Sequence, residues 1–168
     1  DMVRVAEMFN KMKYNILIPD LRGHGKSDGK YIGMGYDDHY DIVSWLKYLK
    51  KKYPNAKVVL YGISMGAATV IMAAGENSSN LVATIEDSGY ESIMGELKYQ
   101  FKNIFHLPVF PLLYTTSFIT FLKANYSFND GNTLKYVKKI KTPVLFIHGE
   151  DDKYVPIENA RVLYENCH

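Results

Sequence analysis

The sequence predicts an α/β protein with a mostly parallel, doubly wound sheet and a helical insertion that forms a cap. Short apolar runs alternate with helical stripes, and the first two runs end in glycine-bearing loops. This alternation is typical of strand-helix-strand crossovers. Such a crossover requires parallel pairing and helices that cover the sheet. We therefore expect one domain over residues 1–168, with the cap at residues 90–135.

Four short runs rich in branched apolar residues are predicted to be the strands. The first two have the glycine-bearing loops, and the fourth is entered through a proline. These runs are residues 14–19, 57–61, 81–85 and 144–147.

Three segments are predicted to be helices that pack on this sheet. The segment before the second strand has apolar residues at i, i+3, i+4 and i+7, with acidic residues at its start and lysines at its end. These charges complement the helix dipole. Residues 67–74 are apolar on every face, as expected for a helix packed deep against a sheet, and Gly75 is expected to end it. Residues 156–166 predict a final helix that begins with proline.

The segment 90–135 is longer than a simple crossover and predicts an insertion. Within it, residues 103–122 contain no Asp, Glu, Lys or Arg. An uncharged run of this length is long enough for a membrane span. However, two prolines interrupt the run, and predicted strands of one sheet lie on both sides of it. We therefore favour a lid or wall over an apolar pocket, ahead of a lid that touches a membrane. One helical face is expected to contain Leu97, Phe101, Ile104 and Phe105.

Composition argues against several function classes. Twenty basic and 18 acidic side chains leave a net charge of +2, which is too little to argue for a nucleic-acid partner. The sequence has no clustered Cys or His ligand set and neither glycine-rich phosphate motif, so no metal or other cofactor is expected. The first residues have no signal-peptide pattern, which favours a cytoplasmic location for the visible chain and leaves an upstream targeting segment open.

The strongest chemical signal is the G-x-S-x-G motif at residues 62–66, directly between a predicted strand and a predicted helix. A sharp turn there strains the serine and points its hydroxyl out above the sheet, with small neighbours that avoid clashes. The helix start also supplies backbone N–H groups beside that hydroxyl. Ser64 is therefore the candidate nucleophile, and the N–H of Met65 is the candidate oxyanion donor.

A serine nucleophile needs a general base and a group that orients the base. The loop after the fourth predicted strand contains carboxylates, and it lies at the same edge of a parallel sheet as Ser64. We choose Asp152 as the acid, with Asp151 second and Asp87 third.

The chain contains four segments in a fixed order: YNILIPDLRGHGKSDG, VVLYGISMGAATV, ATIEDSGYES and IKTPVLFIHGEDDKYVP. Together they resemble the α/β-hydrolases, particularly the single-domain serine hydrolases close to the serine aminopeptidase, monoacylglycerol lipase and bile-acid acyltransferase-like branches. The resemblance implies that Ser64 is the nucleophile, Asp152 the triad acid and Met65 an oxyanion donor, with the insertion acting as a cap.

The family resemblance also implies a histidine after the acid, in a loop that follows one more strand. Only 16 residues follow Asp152, and a crossover alone takes at least about 10 to 12. His168 is not expected to be the base, and His148 and His24 are expected to be structural. We therefore expect a hydrolase fragment without its N-terminal strands and catalytic histidine. An exposed sheet edge would then favour self-association.

The expected function is a serine hydrolase that cleaves an ester, thioester or amide through an acyl-serine intermediate. The partner is then a small-molecule substrate, with binding contacts from Phe101, Phe105 and Phe110. These aromatic residues indicate an apolar acyl group. The alternative is a non-catalytic module or assembly fragment that lacks the triad histidine.

Overall fold

The computed structural model of the protein describes residues 2–167, so the prediction for His168 lies outside the described residues. The chain divides between Ile32 and Gly33 into two compact units. The first unit contains helix α1 (Met2–Lys11). The elements of the second unit are, in order, α2 (Asp38–Lys52), β1 (Val58–Ile63), α3 (Met65–Ala74), β2 (Leu81–Asp87), α4 (Ile93–Asn103), α5 (Leu112–Ala124), α6 (Thr133–Val137), β3 (Val144–Ile147) and α7 (Glu158–Glu165).

In the first unit, the predicted strand at residues 14–19 is wrong. The segment has no regular secondary structure, and Ile16, Leu17 and Ile18 are all exposed. A strand exists only when its backbone groups pair with a neighbour, and this run pairs with no strand of the described chain. The loop that follows is organised by Asp20, whose Oδ2 accepts a hydrogen bond of 2.9 Å from the N–H of Lys26.

In the second unit, β1, β2 and β3 form a parallel sheet, as predicted, and β2 lies between β1 and β3. The register pairs Ile63 with Asp87 and Asp87 with Ile147, so the carboxyl ends of the three strands are level. Two strands continue further than predicted, β1 to Ile63 and β2 to Asp87. This extension brings residues 64, 88 and 148 to one edge of the sheet.

Helix α3 is the centre of the second unit, and the prediction of a deeply packed helix is confirmed. Every residue from Ala67 to Ala74 is buried. One side of α3 packs against β2, α6 and α7, through Ile71, Ala74, Leu81, Val137 and Leu163. Another side packs against the insertion, through Ala68, Met72, Tyr90, Ile93 and Leu113.

The two faces of the sheet differ in burial. Leu81, Val144 and Phe146 lie on the face that contacts the core around α3, α6 and α7. Side chains alternate between faces along a strand, and the neighbours Leu145 and Ile147 are exposed. The α/β class with a parallel sheet is therefore confirmed, and within residues 33–167 this second face presents apolar side chains to solvent.

The insertion is helical, and its two ends are joined by an antiparallel bridge between Ser92 and Asn132. Both residues also cap helices, because Ser92 accepts a hydrogen bond from Gly95 and Asn132 accepts one from Lys135. The expected helical face is correct only in part, since α4 ends at Asn103, before Ile104 and Phe105. None of the helices in the described residues is long and apolar enough to cross a membrane.

Candidate active site

Ser64 is the single residue between β1 and α3. Its φ of 53° and ψ of −117° lie in a region that L-residues rarely adopt, and its side chain is exposed. The Ser64 N–H donates a hydrogen bond of 2.8 Å to the Asp87 carbonyl, and the Ser64 carbonyl accepts from Ala67 and Ala68. The backbone on both sides of the serine is therefore held in place while its hydroxyl faces outward.

The two glycines of the motif have different roles. A Cβ on Gly62 would overlap the carbonyl oxygen of Gly66, so only glycine lets β1 pass this close to α3. At Gly66 the expectation of a clash is wrong, because an added Cβ would meet nothing within 4 Å. The space beside the first turn of α3 is therefore open.

Met65 is the first residue of α3. An α-helix offers no intrahelical acceptor to the N–H groups of its first turn, and its N-terminus has a partial positive charge. The N–H of Met65 is therefore one of the backbone groups at the start of α3 that can stabilise an anion beside Ser64.

At the end of β2, Asp87 is already engaged on both carboxylate oxygens. Its Oδ2 accepts a hydrogen bond of 2.7 Å from the Tyr61 hydroxyl, and its Oδ1 accepts one of 3.1 Å from the Ser88 hydroxyl. Burial, together with this bond to Asp87, raises the pKa of Tyr61 to about 12. Because both of its oxygens already accept hydrogen bonds from nearby residues, Asp87 is a weaker choice for the triad acid.

Asp152 lies in the loop after β3 and is half-buried, whereas Asp151 is exposed. Its Oδ1 accepts hydrogen bonds from the N–H groups of Tyr154 and Val155, at 2.8 and 3.0 Å. These bonds hold the carboxylate in one orientation. The register places this loop and Ser64 at the same sheet edge, two strand spacings or about 10 Å apart.

Two of the three histidines of residues 33–167 have structural partners, whereas the third, His106, is exposed. His148 Nε2 lies 2.7 Å from the Val155 carbonyl oxygen, so this nitrogen is the proton donor, and 4.0 Å from Asp152 Oδ2. His39 is buried and bonded to the Tyr36 carbonyl, and burial lowers its pKa. Within this unit, no histidine side chain is hydrogen-bonded to Ser64.

Sequence reasoning missed Glu86, a fully buried carboxylate on β2. Its Oε1 accepts a hydrogen bond from the Gly89 N–H, and its Oε2 has no partner among the described residues. Burial raises the pKa of Glu86 to about 7. The alternation of side chains along a strand could have predicted this burial, because Glu86 follows Thr84 by two residues and therefore points to the same inward face. The prediction missed it because the predicted strand ended at Ile85.

A second buried carboxylate, Glu96, lies on helix α4. Its Oε1 accepts a hydrogen bond of 2.6 Å from Gln100, and burial, together with the charge of Asp152, raises its pKa to about 6. The Tyr99 hydroxyl also donates to the Lys153 carbonyl, at 3.1 Å. Helix α4 is therefore attached to the loop that contains Asp152.

The three phenylalanines proposed as binding contacts are placed differently. Phe101 is half-buried and packs against the core between α3 and the insertion. Phe105 and Phe110 are 58% and 76% exposed.

Among residues 2–167 there is no group of three His, Cys, Asp or Glu side chains that could hold a metal ion.

The sequence profile described as "Serine aminopeptidase, S33" matches residues 2–89 of the chain. YqkD of Bacillus subtilis is 32% identical over 165 residues, which are 97% of this chain and 54% of that protein. The lysophosphatidylserine lipase ABHD12 of Macaca fascicularis is 29% identical over 171 residues, with 96% of this chain and 40% of that protein covered. The chain thus spans about half the length of these relatives.

A solved structure is similar in fold. The Pyrococcus furiosus esterase Pf2001 aligns with a TM-score of 0.75 and 29% identity, over 98% of this chain and 61% of that one. This alignment covers both the sheet and the insertion.

Proposed function

The chain belongs to the serine aminopeptidase S33 family, and from that premise we propose that it contains the nucleophile and acid of a serine hydrolase. The reaction is cleavage of an ester, thioester or amide through an acyl-serine intermediate. The observation that supports it most directly is the backbone of Ser64, which has positive φ, an exposed side chain and a helix N-terminus directly after it.

In the proposed reaction, the Ser64 oxygen attacks the substrate carbonyl and the N–H of Met65 donates to the developing oxyanion. A histidine takes the serine proton and then passes it to the leaving group. Asp152 Oδ2 orients that histidine, because Oδ1 is occupied by two backbone N–H groups. Water then attacks the acyl-serine, with the same histidine as base, and the acid product leaves.

The proposed base comes from outside residues 2–167. His148 is engaged with the Val155 carbonyl, His39 with the Tyr36 carbonyl and His24 with the Arg22 carbonyl, whereas His106 is exposed in the segment after α4. A base must lie within hydrogen-bond reach of the serine proton. The proposal therefore concerns the native protein that contains this chain.

The proposed substrate has an apolar acyl group and, among the three bond types, an ester is favoured. The names of two similar proteins support the ester, since one is an esterase and the other a lysophosphatidylserine lipase. Phe101, Phe105 and Phe110 supply aromatic surface on the insertion, and the open space at Gly66 leaves room beside the first turn of α3.

A fluorophosphonate probe, which phosphonylates activated serines, tests the proposal in the native protein. We expect the probe on Ser64 and not on Ser88, as mapped by mass spectrometry. Ser88 is a matched control because it also has positive φ at the same sheet edge, but its hydroxyl donates to Asp87. Ser64→Ala should lower kcat on a p-nitrophenyl ester by at least about ten-thousandfold, and Ser88→Ala should not. No labelling of a folded protein would contradict the proposal.

The alternative is a non-catalytic module, which the absence of a histidine at Ser64 within residues 33–167 favours. It predicts that neither the native protein nor this chain turns over esters, and that Ser64→Ala changes no measured property. Ester turnover that disappears with Ser64→Ala rejects this alternative.

A further inference from the structure

Helix α5 has an apolar face that the described chain leaves largely exposed. Leu113 and Ser117 point inward and are buried, and the Ser117 hydroxyl accepts from the N–H of Phe128 at 3.0 Å. Five other apolar side chains of α5 are exposed to between 46% and 64%, namely Tyr114, Phe118, Ile119, Phe121 and Leu122. We call these five residues the outer face of α5.

The threonine hydroxyls of α5 do not need water as a hydrogen-bond partner. The hydroxyls of Thr115, Thr116 and Thr120 each donate to a carbonyl of the same helix, at 2.8 to 3.2 Å. Burying a hydroxyl is costly only when it lacks a hydrogen bond. The helix can therefore enter an apolar medium on this side without leaving a threonine hydroxyl unpaired.

The charged side chains in the stretch of sequence that contains α5 are all positive. Between residues 97 and 129 the chain has Lys98, Lys102 and Lys123 and no acidic residue. The Nζ of Lys98 lies 5.8 Å from the centre of the Tyr114 ring, at one border of the face. With 3.6 residues per turn, Lys123 falls on the opposite border, beyond Phe118 and Leu122. The apolar centre therefore has a cation on each side.

These charges discriminate between two occupants. A second copy of the same face would bring lysines against lysines with no acidic partner, which is unfavourable. An anionic bilayer surface offers negative headgroups to the lysines and acyl chains to the apolar centre. With 13 residues, α5 is about 20 Å long, too short for a hydrocarbon core of about 30 Å, so it fits an orientation parallel to the surface.

We propose that α5 docks the protein onto the surface of an anionic lipid bilayer. Phe118, Ile119 and Leu122 enter the boundary between headgroups and acyl chains, and Lys98 and Lys123 contact the anionic headgroups. The sequence alone favoured a pocket lid over a membrane-touching lid. The outward exposure of these side chains, which the sequence did not determine, reverses that order for α5.

Vesicle flotation of the full chain tests the apolar part of the proposal. We expect binding to vesicles of phosphatidylcholine mixed with phosphatidylglycerol and little binding to pure phosphatidylcholine. Phe118→Ser should weaken binding at least about tenfold, because a phenyl group no longer enters the bilayer. Tyr164→Ser, at a residue 68% exposed on α7, is the matched control and should bind like the wild type.

Charge substitutions test the electrostatic part. Lys123→Gln should weaken binding to the anionic vesicles about fivefold, whereas Lys51→Gln, on the exposed end of α2, should leave it unchanged. The proposal is overturned if the wild type does not float with anionic vesicles, or if Phe118→Ser binds as well as the wild type. It is also overturned if the outer face forms a dimer that Phe118→Ser dissociates while vesicles remain unbound.

Discussion

Helices α3 and α5 have similar composition and opposite environments. Both are apolar, with no acidic residue, and α5 has a single charge, Lys123. Every residue of α3 from Ala67 onward is buried, whereas the buried residues of α5 are Leu113 and Ser117. The difference shows that an apolar helix is buried by the neighbours that surround it and not by its own hydrophobicity.

The neighbours of α3 surround it. The strands β1 and β2 lie against it, and α2, α6 and the core of the insertion contact its remaining sides. Helix α5 belongs to the outer layer of the insertion, and only its inward stripe meets the core. The variants below test this contrast, in order of decreasing expected effect.

The first variant tests how closely β1 and α3 approach. In Gly62→Ala the new methyl group meets the backbone oxygen of Gly66, which cannot rotate away, so we expect a loss of at least about 4 kcal/mol in the free energy of unfolding. Urea denaturation measures it. Gly66→Ala is the control within the same motif and should change stability by no more than about 1 kcal/mol, in the stabilising direction. Equal losses for the two variants would contradict the close approach.

A second pair of variants compares the two sides of α5. Leu113 is fully buried and Leu122 is 64% exposed. Leu113→Ala should lower the free energy of unfolding by about 2–5 kcal/mol, because it leaves a cavity, and Leu122→Ala should change it by less than about 0.5 kcal/mol. The same urea titrations measure both. A large loss for Leu122→Ala would mean that the outer face is covered within the protein.

The third prediction concerns Glu86, which accepts a hydrogen bond from Gly89 in the turn after β2, beside the first turn of α3. The pKa of Glu86 is raised from an ordinary value of 4.5 to about 7, so the folded state binds more protons than the unfolded state between these pH values. Stability should therefore fall as the pH rises from 4.5 to about 7, by up to about 3 kcal/mol in total. Glu96, whose pKa is raised to about 6, adds to this slope, and Glu86, with the larger shift, contributes most of it.

The measurement is the unfolding midpoint as a function of pH. Glu86→Gln should flatten the slope over this range and should raise stability above pH 7, since it removes a buried charge. The control Glu150→Gln, at an exposed position, should keep the wild-type slope. If Glu86→Gln has the wild-type slope, the carboxylate is not the titrating group.

Local patterns in the sequence predicted much of the fold. The bounds of β3 are as predicted, and α2, α3 and α7 lie where helical periodicity, charge and proline signals placed them. The turn at Ser64 was predicted from its motif. These features depend on residues within one or two turns of each other, so a window of sequence contains the information.

Two apolar runs with similar sequences show what local patterns do not predict. Residues 14–19 and 57–61 are both short, apolar and followed by glycine-bearing loops. The second became part of β1 because β2 pairs with it along its length, whereas the first pairs with no strand of the described chain. A strand depends on a partner that is distant in sequence, which composition does not show.

The sequence by itself determined the positions of α2, α3 and α7, the serine turn and the carboxylate loop, because each depends on neighbouring residues. The tertiary structure decided which apolar side chains are covered, that Glu86 is a buried acid, and that one oxygen of Asp152 is held by backbone N–H groups. These outcomes depend on contacts between segments far apart in the chain. Burial and pKa follow from those contacts and not from residue type.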